Sequence, residues 1–256
     1  MSSLVISRLT NIPLIQDGDH LSEILYQGLQ SQGISLENGD ILGVTSKIVS
    51  KAEGRWVKLS TITPSVKAQE LSRQIDRDAR LIELILSESK AIIRATEQAF
   101  IVEHKIGFIC ANAGIDHSNV REEVEGENDW YLLLPADPDN SAMQISSDLE
   151  KFSNKKVGVI IIDSHGRPWR KGTVGTVIGT SLVPTLVDLR GKEDIFGYKL
   201  RITMVAAADE LAAGASLMMG QAAERIPAVH VRGFPYPFAV SSIKDVLRVR
   251  ETDLFR

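Results

Sequence analysis

Apolar positions recur along this chain with two different periods, and the switches between them mark out its elements. After Asp17-Gly18-Asp19, the residues Leu21, Ile24, Leu25 and Leu29 fall at helical spacing, and Gly33 ends the run. Ile41-Leu42-Gly43-Val44-Thr45 reads as a buried strand. Pro64 suits the start of a helix, and Leu71, Ile75, Leu81, Leu84 and Ile85 carry its apolar face to about Ser87. Phe100-Ile101-Val102 and Gly107-Phe108-Ile109-Cys110 predict a hairpin around His104-Lys105-Ile106. Trp130–Leu134 predicts a short strand closed by Pro135 and Pro138, and Ser141–Phe152 a helix. Val157–Ile162 is continuous, apolar and β-branched, the mark of an interior strand. Leu200–Val205 and Ala228–Val231 predict two more strands, on either side of an Ala-rich helix over Ala208–Met219. Strands and helices mix without strict βαβ alternation, so the expected fold class is α+β, with mixed or antiparallel sheets and packed helices; α/β is the alternative.

Composition narrows the class without naming it. With 43% hydrophobic residues, 24% charged residues and a net charge of −4 over 256 residues, the chain is neither disordered nor a strongly basic nucleic-acid binder. Its one cysteine, Cys110, leaves no internal disulfide and no thiolate metal cluster, which fits a reducing compartment. The start, Met1 to Arg8, lacks the basic opening and long apolar core of a signal peptide. Apolar runs such as Val157–Ile162 fall far short of the roughly 18–20 residues that cross a bilayer. A cytoplasmic protein with no membrane or nucleic-acid partner is expected.

Common signatures are missing: no P-loop, no G-x-G-x-x-G after a strand, no G-x-S-x-G elbow, no H-E-x-x-H among His20, His104, His117, His165 and His230. Gly172–Gly179 could hug a phosphate, but its spacing favours a turn and a strand. Cys110–Asn119 ends a strand in small residues and then presents Asp116, Ser118 and Asn119, oxygen donors suited to a hard cation or to a plain Asx turn. In Asp163–Arg170 an apolar strand runs into an acid, a hydroxyl, Arg167 and Arg170; this suits a metal bound to phosphate, or a charged surface turn. Two acids at strand ends make a shared metal site more credible than either alone. Thr45–Arg55 follows a buried strand with hydroxyls and two lysines, and reads as a phosphate cradle or a solvated basic turn. Leu217–Gln221 closes the Ala-rich helix; Gly220 reads as its C-cap and the methionines as core filler.

Together these segments resemble one family, the coenzyme F-420-0:gamma-glutamyl ligases. The resemblance rests on Ile12-Pro13-Leu14-Ile15, Val44–Arg55, Ala111–Val120, Val157–Arg170, Ala208–Gln221 and Ile226–Gly233, in family order over about residues 10–233. It implies a GTP-dependent ligase, typically homodimeric, that uses Mg²⁺ or Mn²⁺ at two sites with K⁺ stimulation. Such a ligase joins L-glutamate to a carboxyl group of a deazaflavin coenzyme through an acyl phosphate, with later glutamates gamma-linked. By the resemblance, Asp116 is a ligand of one metal, Asp163 a shared ligand, and Ser164 and Gln221 serve the second metal; some members carry Glu in place of Gln221. Asp116, Asp163 and Arg167 form the expected catalytic set. Ile12, Pro13, Leu14, Ile15, Ser46, Lys51, Asn119 and the stretch Met219, Gly220, Gln221, Ala222, Ala223, Glu224, Arg225, Ile226 are the expected nucleotide contacts. Many bacterial members carry polar residues where this chain has Val174-Gly175-Thr176, and some carry a fused nitroreductase-like domain. Residues 1–256 are expected to be one catalytic unit without that fusion, with room for two lobes. A related metal-dependent ligase with another carboxylate acceptor, and a non-catalytic GTP-binding module, are the other readings.

Overall fold

A computed structural model of the chain describes residues 3–120 and 129–254. The N-terminal half contains β1 (Val5–Leu9), α1 (Leu21–Ser31), β2 (Ile41–Thr45), α2 (Ser46–Ala52), β3 (Trp56–Lys58), α3 (Val66–Ile75), α4 (Ala79–Ser87), β4 (Ser89–Ala95), β5 (Phe100–His104) and β6 (Ile109–Ala111). It continues with β7 (Trp130–Leu132), α5 (Pro138–Ser153), β8 (Gly158–Arg167), β9 (Arg170–Ser181), β10 (Val187–Asp188), β11 (Met204–Val205), α6 (Ala207–Met219) and β12 (Ala228–Arg232). The fold class is α+β, as the sequence predicts.

The main sheet has the order β1-β12-β2-β8-β9, and within it only β2 and β8 run parallel. It is buried on both faces, which is why β2 and β8 read as continuous apolar runs. Leu42, Val44, Val159 and Ile161 face a core completed by Leu21, Leu25 and Leu29 of α1, Ile48 and Val49 of α2, and Ile145 and Leu149 of α5. Ile41, Ile160, Ile162 and Val177 face the other way, onto Ala208, Leu211, Ala212 and Ala215 of α6. Each fully buried Leu or Ile contributes about 1.5–3 kcal/mol. Two smaller cores lie under α3, α4 and the β4-β5-β6 sheet: one holds Ile75, Ile82, Phe100 and Val102, the other Leu59, Leu84 and Leu133.

Small residues set how closely α6 can approach. A Cβ at Gly175 of β9 would stand 2.5 Å from the Ala212 carbonyl oxygen, and one at Gly179 would collide with the Pro138 backbone at the start of α5. The two glycines therefore meet helices on opposite faces, although four residues apart in one strand. A register shift opposite Ile161 and Ile162 inserts Ile178 between them and reverses the alternation.

Several boundaries depart from the sequence reading. The helix expected up to Ser87 is two helices: Asp76 adopts a left-handed conformation (φ 47°) that ends α3, and Asp78 caps α4 by accepting from the Arg80 amide. Thr45–Arg55 is not a solvated turn, because Ser46–Ala52 forms a helix. The strand expected to stop at Ile162 continues to Arg167, since ladder hydrogen bonds do not require apolar side chains. Leu200–Val205 contributes only Met204-Val205 to a strand, and Trp130–Leu134 only Trp130–Leu132. The α5 helix starts three residues earlier than expected, with Pro138 in its first turn behind the Asp137 cap. Gly172–Gly179 is strand, and the hairpin of β5 and β6 forms as predicted, pairing Ile101 with Ala111. Among the described residues no helix is long and apolar enough to cross a membrane.

Candidate functional site

The parallel pair fixes the starting point. Its last register partners are Thr45 and Ile162, so the next residues, Ser46 and Asp163, emerge side by side. Ser46 is the first residue of α2, and its Oγ donates to Asp163 Oδ1 at 3.0 Å. Ligands of α/β sheets gather at such carboxyl ends of parallel strands. The second carboxylate comes from another part of the chain. After β6 the backbone turns through Ala113 (φ 53°) and Gly114 (φ 65°), and Asp116 is then held by paired amide and carbonyl bonds with Leu132.

The carboxylates lie close enough for the Asp163 charge to act on Asp116. Burial raises the pKa of Asp116; the Asp163 charge adds to that and Lys47 opposes it. Asp163 moves the other way. Burial works against its charge, but the His165 ring, at 3.1 Å from Oδ2, and the Ser46 hydroxyl outweigh that and hold it below its ordinary value. Cys110 lies alongside: burial, reinforced by the Asp163 charge, pushes its thiol up to about 12.

Two lysines one turn apart on α2 complete this group. Lys47 Nζ lies 3.3 Å from Asp116 Oδ2 and donates to the Ser118 carbonyl at 2.8 Å. Lys51 Nζ donates to the Asn119 carbonyl at 2.9 Å. Burial, with the Lys47 charge next, lowers the Lys51 pKa. The stretch after α6 closes over the same place. Asn119 Nδ2 donates to the Ala222 carbonyl at 3.0 Å, and Ser164 Oγ to Gln221 Oε1 at 2.8 Å. Gly220 (φ 78°) caps α6 and turns the chain, and Glu224 accepts from the Ala222 amide.

Direct contacts thus join Ser46 to Asp163, Ser164 to Gln221, Lys51 to Asn119 and Asn119 to Ala222, while Lys47, next to Ser46 on α2, reaches Asp116. Met219 is buried in the α6 core, while Ala223, Glu224 and Arg225 are exposed and Ile226 is half-buried. Ile15 is core, packed with Ile12; Pro13 and Leu14 are exposed, in a segment tied to the end of α2 by the Gly18 amide and the Ala52 carbonyl. Arg167 stands apart: it pairs with Arg170 at the exposed hairpin tip, four residues beyond Asp163. Asp163 itself lies within a strand rather than at its end. The sequence marks Lys47 only as one of two lysines of a possible phosphate cradle, not as a partner of Asp116, and gives His165 no role. The i, i+4 spacing of Lys47 and Lys51 was the available signal, once α2 is read as a helix.

The donor set suits a hard divalent cation. Asp116 and Asp163 offer paired carboxylates, and Ser164 and Gln221 offer neutral oxygens. Among the described residues no group of three or more His, Cys, Asp or Glu could hold a metal alone. An ion here would therefore rest on two carboxylates and complete its shell with neutral oxygens, water or phosphate, as Mg²⁺ commonly does.

Comparison with known proteins gives a consistent picture. Residues 10–233 match the sequence model of the F420-0:Gamma-glutamyl ligase family. A coenzyme F420:L-glutamate ligase from Methanothermobacter thermautotrophicus is 42% identical over 247 residues, covering 96% of each chain. A second, from Methanocaldococcus jannaschii, is 40% identical over 247 residues, 96% of this chain and 94% of the relative. A third, from Archaeoglobus fulgidus, is 39% identical over 245 residues, 96% of this chain and 93% of the relative.

Proposed function

The chain belongs to the F420-0:Gamma-glutamyl ligase family, and on that premise we propose that it ligates L-glutamate to a deazaflavin coenzyme acceptor at the expense of GTP. The observation that carries this reading is that the Asp163 charge acts on Asp116 while Lys47 and Lys51 of one helix reach Asp116 and Asn119, inside a chain that matches the family over most of its length.

Two displacements account for the chemistry. An acceptor carboxylate oxygen attacks the γ-phosphorus, the bond to the β-phosphate oxygen breaks, and GDP leaves. The glutamate amine then attacks the activated acyl carbon, the carbon–oxygen bond breaks, phosphate leaves, and the amine gives up a proton to form the amide. Carboxylate is a poor electrophile and phosphate a good leaving group, so activation makes the second step accessible.

This chain's residues divide the work. Asp116 and Asp163, with Ser164 and Gln221, would hold Mg²⁺ or Mn²⁺ at two sites, with K⁺ as an activator. Bound divalent ions neutralise charge on the phosphates. Lys51 is suited to a phosphate oxygen, because it is half-buried and its present partner is a carbonyl that phosphate can replace. Ser46 and His165 fix the orientation of Asp163. The contacts of Ala222 with Asn119 and of Gln221 with Ser164 support a role for the segment Met219–Ile226 in meeting the base, with residues 12–15 as the other expected nucleotide contacts. Arg167 reaches the reaction only if the hairpin tip bends inward.

The main-sheet cores and the smaller cores under α3 and α4 support one catalytic unit of two lobes. The arm between β10 and β11 exposes Ile195, Phe196 and Ile202, which supports a homodimer that covers them. The test is purified protein with Mn²⁺, GTP, glutamate and the deazaflavin acceptor, read by mass spectrometry. GDP release with a product one glutamate heavier is expected. Ligation of a different acceptor would favour the related ligase, and GTP binding without turnover a non-catalytic module.

A further inference from the structure

Lys47 occupies a place that the proposed reaction does not yet use. Its ammonium has three donors. One faces Asp116 Oδ2 at 3.3 Å and one the Ser118 carbonyl at 2.8 Å, and its side chain is 24% exposed. The two carboxylates differ in their support. Asp163 has a hydroxyl and an imidazole on it, whereas the close cation on Asp116 is Lys47. A divalent ion shared by Asp116 and Asp163 and an ammonium on the same Asp116 oxygen would repel strongly at such short range. Lys47 has a flexible four-carbon stem and a second anchor at Ser118, so it can leave the carboxylate without releasing the loop. Lys51, one turn on, holds the neighbouring Asn119 carbonyl and keeps that loop in register meanwhile.

We infer that Lys47 is a placeholder counter-ion: it positions Asp116 in the metal-free protein, competes with the divalent cation for that carboxylate, and withdraws from it when the ion binds. This rests on the proposal that Asp116 and Asp163 hold a divalent ion. Lys47 acts through Asp116 and is a positioning residue.

The test is Mn²⁺ binding without nucleotide, by calorimetry or electron paramagnetic resonance, on wild type and Lys47→Gln. Glutamine keeps an N–H for the Ser118 carbonyl but removes the competing charge. Lys47→Gln is expected to bind Mn²⁺ about three- to tenfold more tightly than wild type, since a nearby like charge disfavours a cation. Equal or weaker binding by a folded Lys47→Gln would overturn the inference and leave the metal reading standing. Absence of Mn²⁺ binding to wild type would overturn both. An independent readout uses the unaltered protein: amine acetylation at Lys47, followed by peptide mass spectrometry with and without Mn²⁺. Lys47 is expected to react several-fold faster with Mn²⁺ present, while Lys51, whose partner is a carbonyl, keeps its rate. Unchanged or slower labelling of Lys47 on Mn²⁺ binding would overturn the inference even if the variant failed to fold.

Discussion

Asp40 is a buried carboxylate engaged by four groups, and its replacement by asparagine tests whether the main sheet depends on it. The side chain is 2% exposed, at the start of β2. It accepts from Arg232 Nε at 2.8 Å and Nη2 at 2.7 Å, from the Glu37 amide at 2.8 Å, and lies 2.9 Å from His230 Nε2. Arg232 and His230 both belong to β12, so the contacts tie β12 to β2 and to the Glu37 turn. Burial opposes the Asp40 charge, but Arg232, His230 and the Glu37 amide outweigh it and hold the carboxyl well below the usual carboxylate range. Breaking one side of a buried pair costs about 3–5 kcal/mol. Arg232 is 28% exposed and can regain water, which places Asp40→Asn at the low end, about 3 kcal/mol. For a chain of this size that lowers the melting temperature by roughly 6–12 °C. Because the folded pKa lies below the unfolded value of about 3.9, the wild-type advantage is complete above that value and shrinks as pH falls through the folded one. Urea unfolding of both proteins between neutral and acid pH measures this directly. A variant within about 1 kcal/mol of wild type at neutral pH, or a gap that widens on acidification, would refute the reasoning.

The site carboxylates should separate stability from function. Asp116→Asn removes a charge whose pKa the fold raises, so without metal at neutral pH it should melt no lower than wild type; Asp163→Asn removes a charge the fold favours and should melt lower. Both should lose ligation by about 10²–10³-fold, and retained turnover in either removes that residue from the catalytic set. Gly175→Ala should cost about 1–3 kcal/mol by pushing β9 off the α6 backbone, seen as a lower urea midpoint. The Cys110 thiol, buried and pushed up to about 12, should resist a disulfide reagent in the native protein and give one equivalent after denaturation.

Apolar runs long enough to report their own burial made much of the fold legible. Leu21 to Leu29, Ile41–Thr45, Val157–Ile162 and Ala228–Val231 all lie in the main-sheet cores, as their patterns predict. What stayed hidden lacks such a run. The α2 helix is seven residues of mixed polarity, and its neighbours on β2 and β8 decide its shape. The break between α3 and α4 carries no Gly or Pro; only Asp76 and Asp78 mark it. Past Ile162 the strand is polar because its face opens onto the site, so Asp163 looked like a strand end. Residue types flagged the two acids and Asn119, and family resemblance gave Gln221 its metal role and Asn119 its nucleotide role. Lys47 and His165 needed the parallel register and the turn at Asp116 to bring them to the carboxylates.

The ligation assay bears most directly on the central claim. Wild-type protein with Mn²⁺, GTP, L-glutamate and the deazaflavin acceptor should release GDP and give a product heavier by one glutamate residue, read by mass spectrometry. Folded protein that binds GTP and Mn²⁺ yet forms no glutamylated product would contradict it.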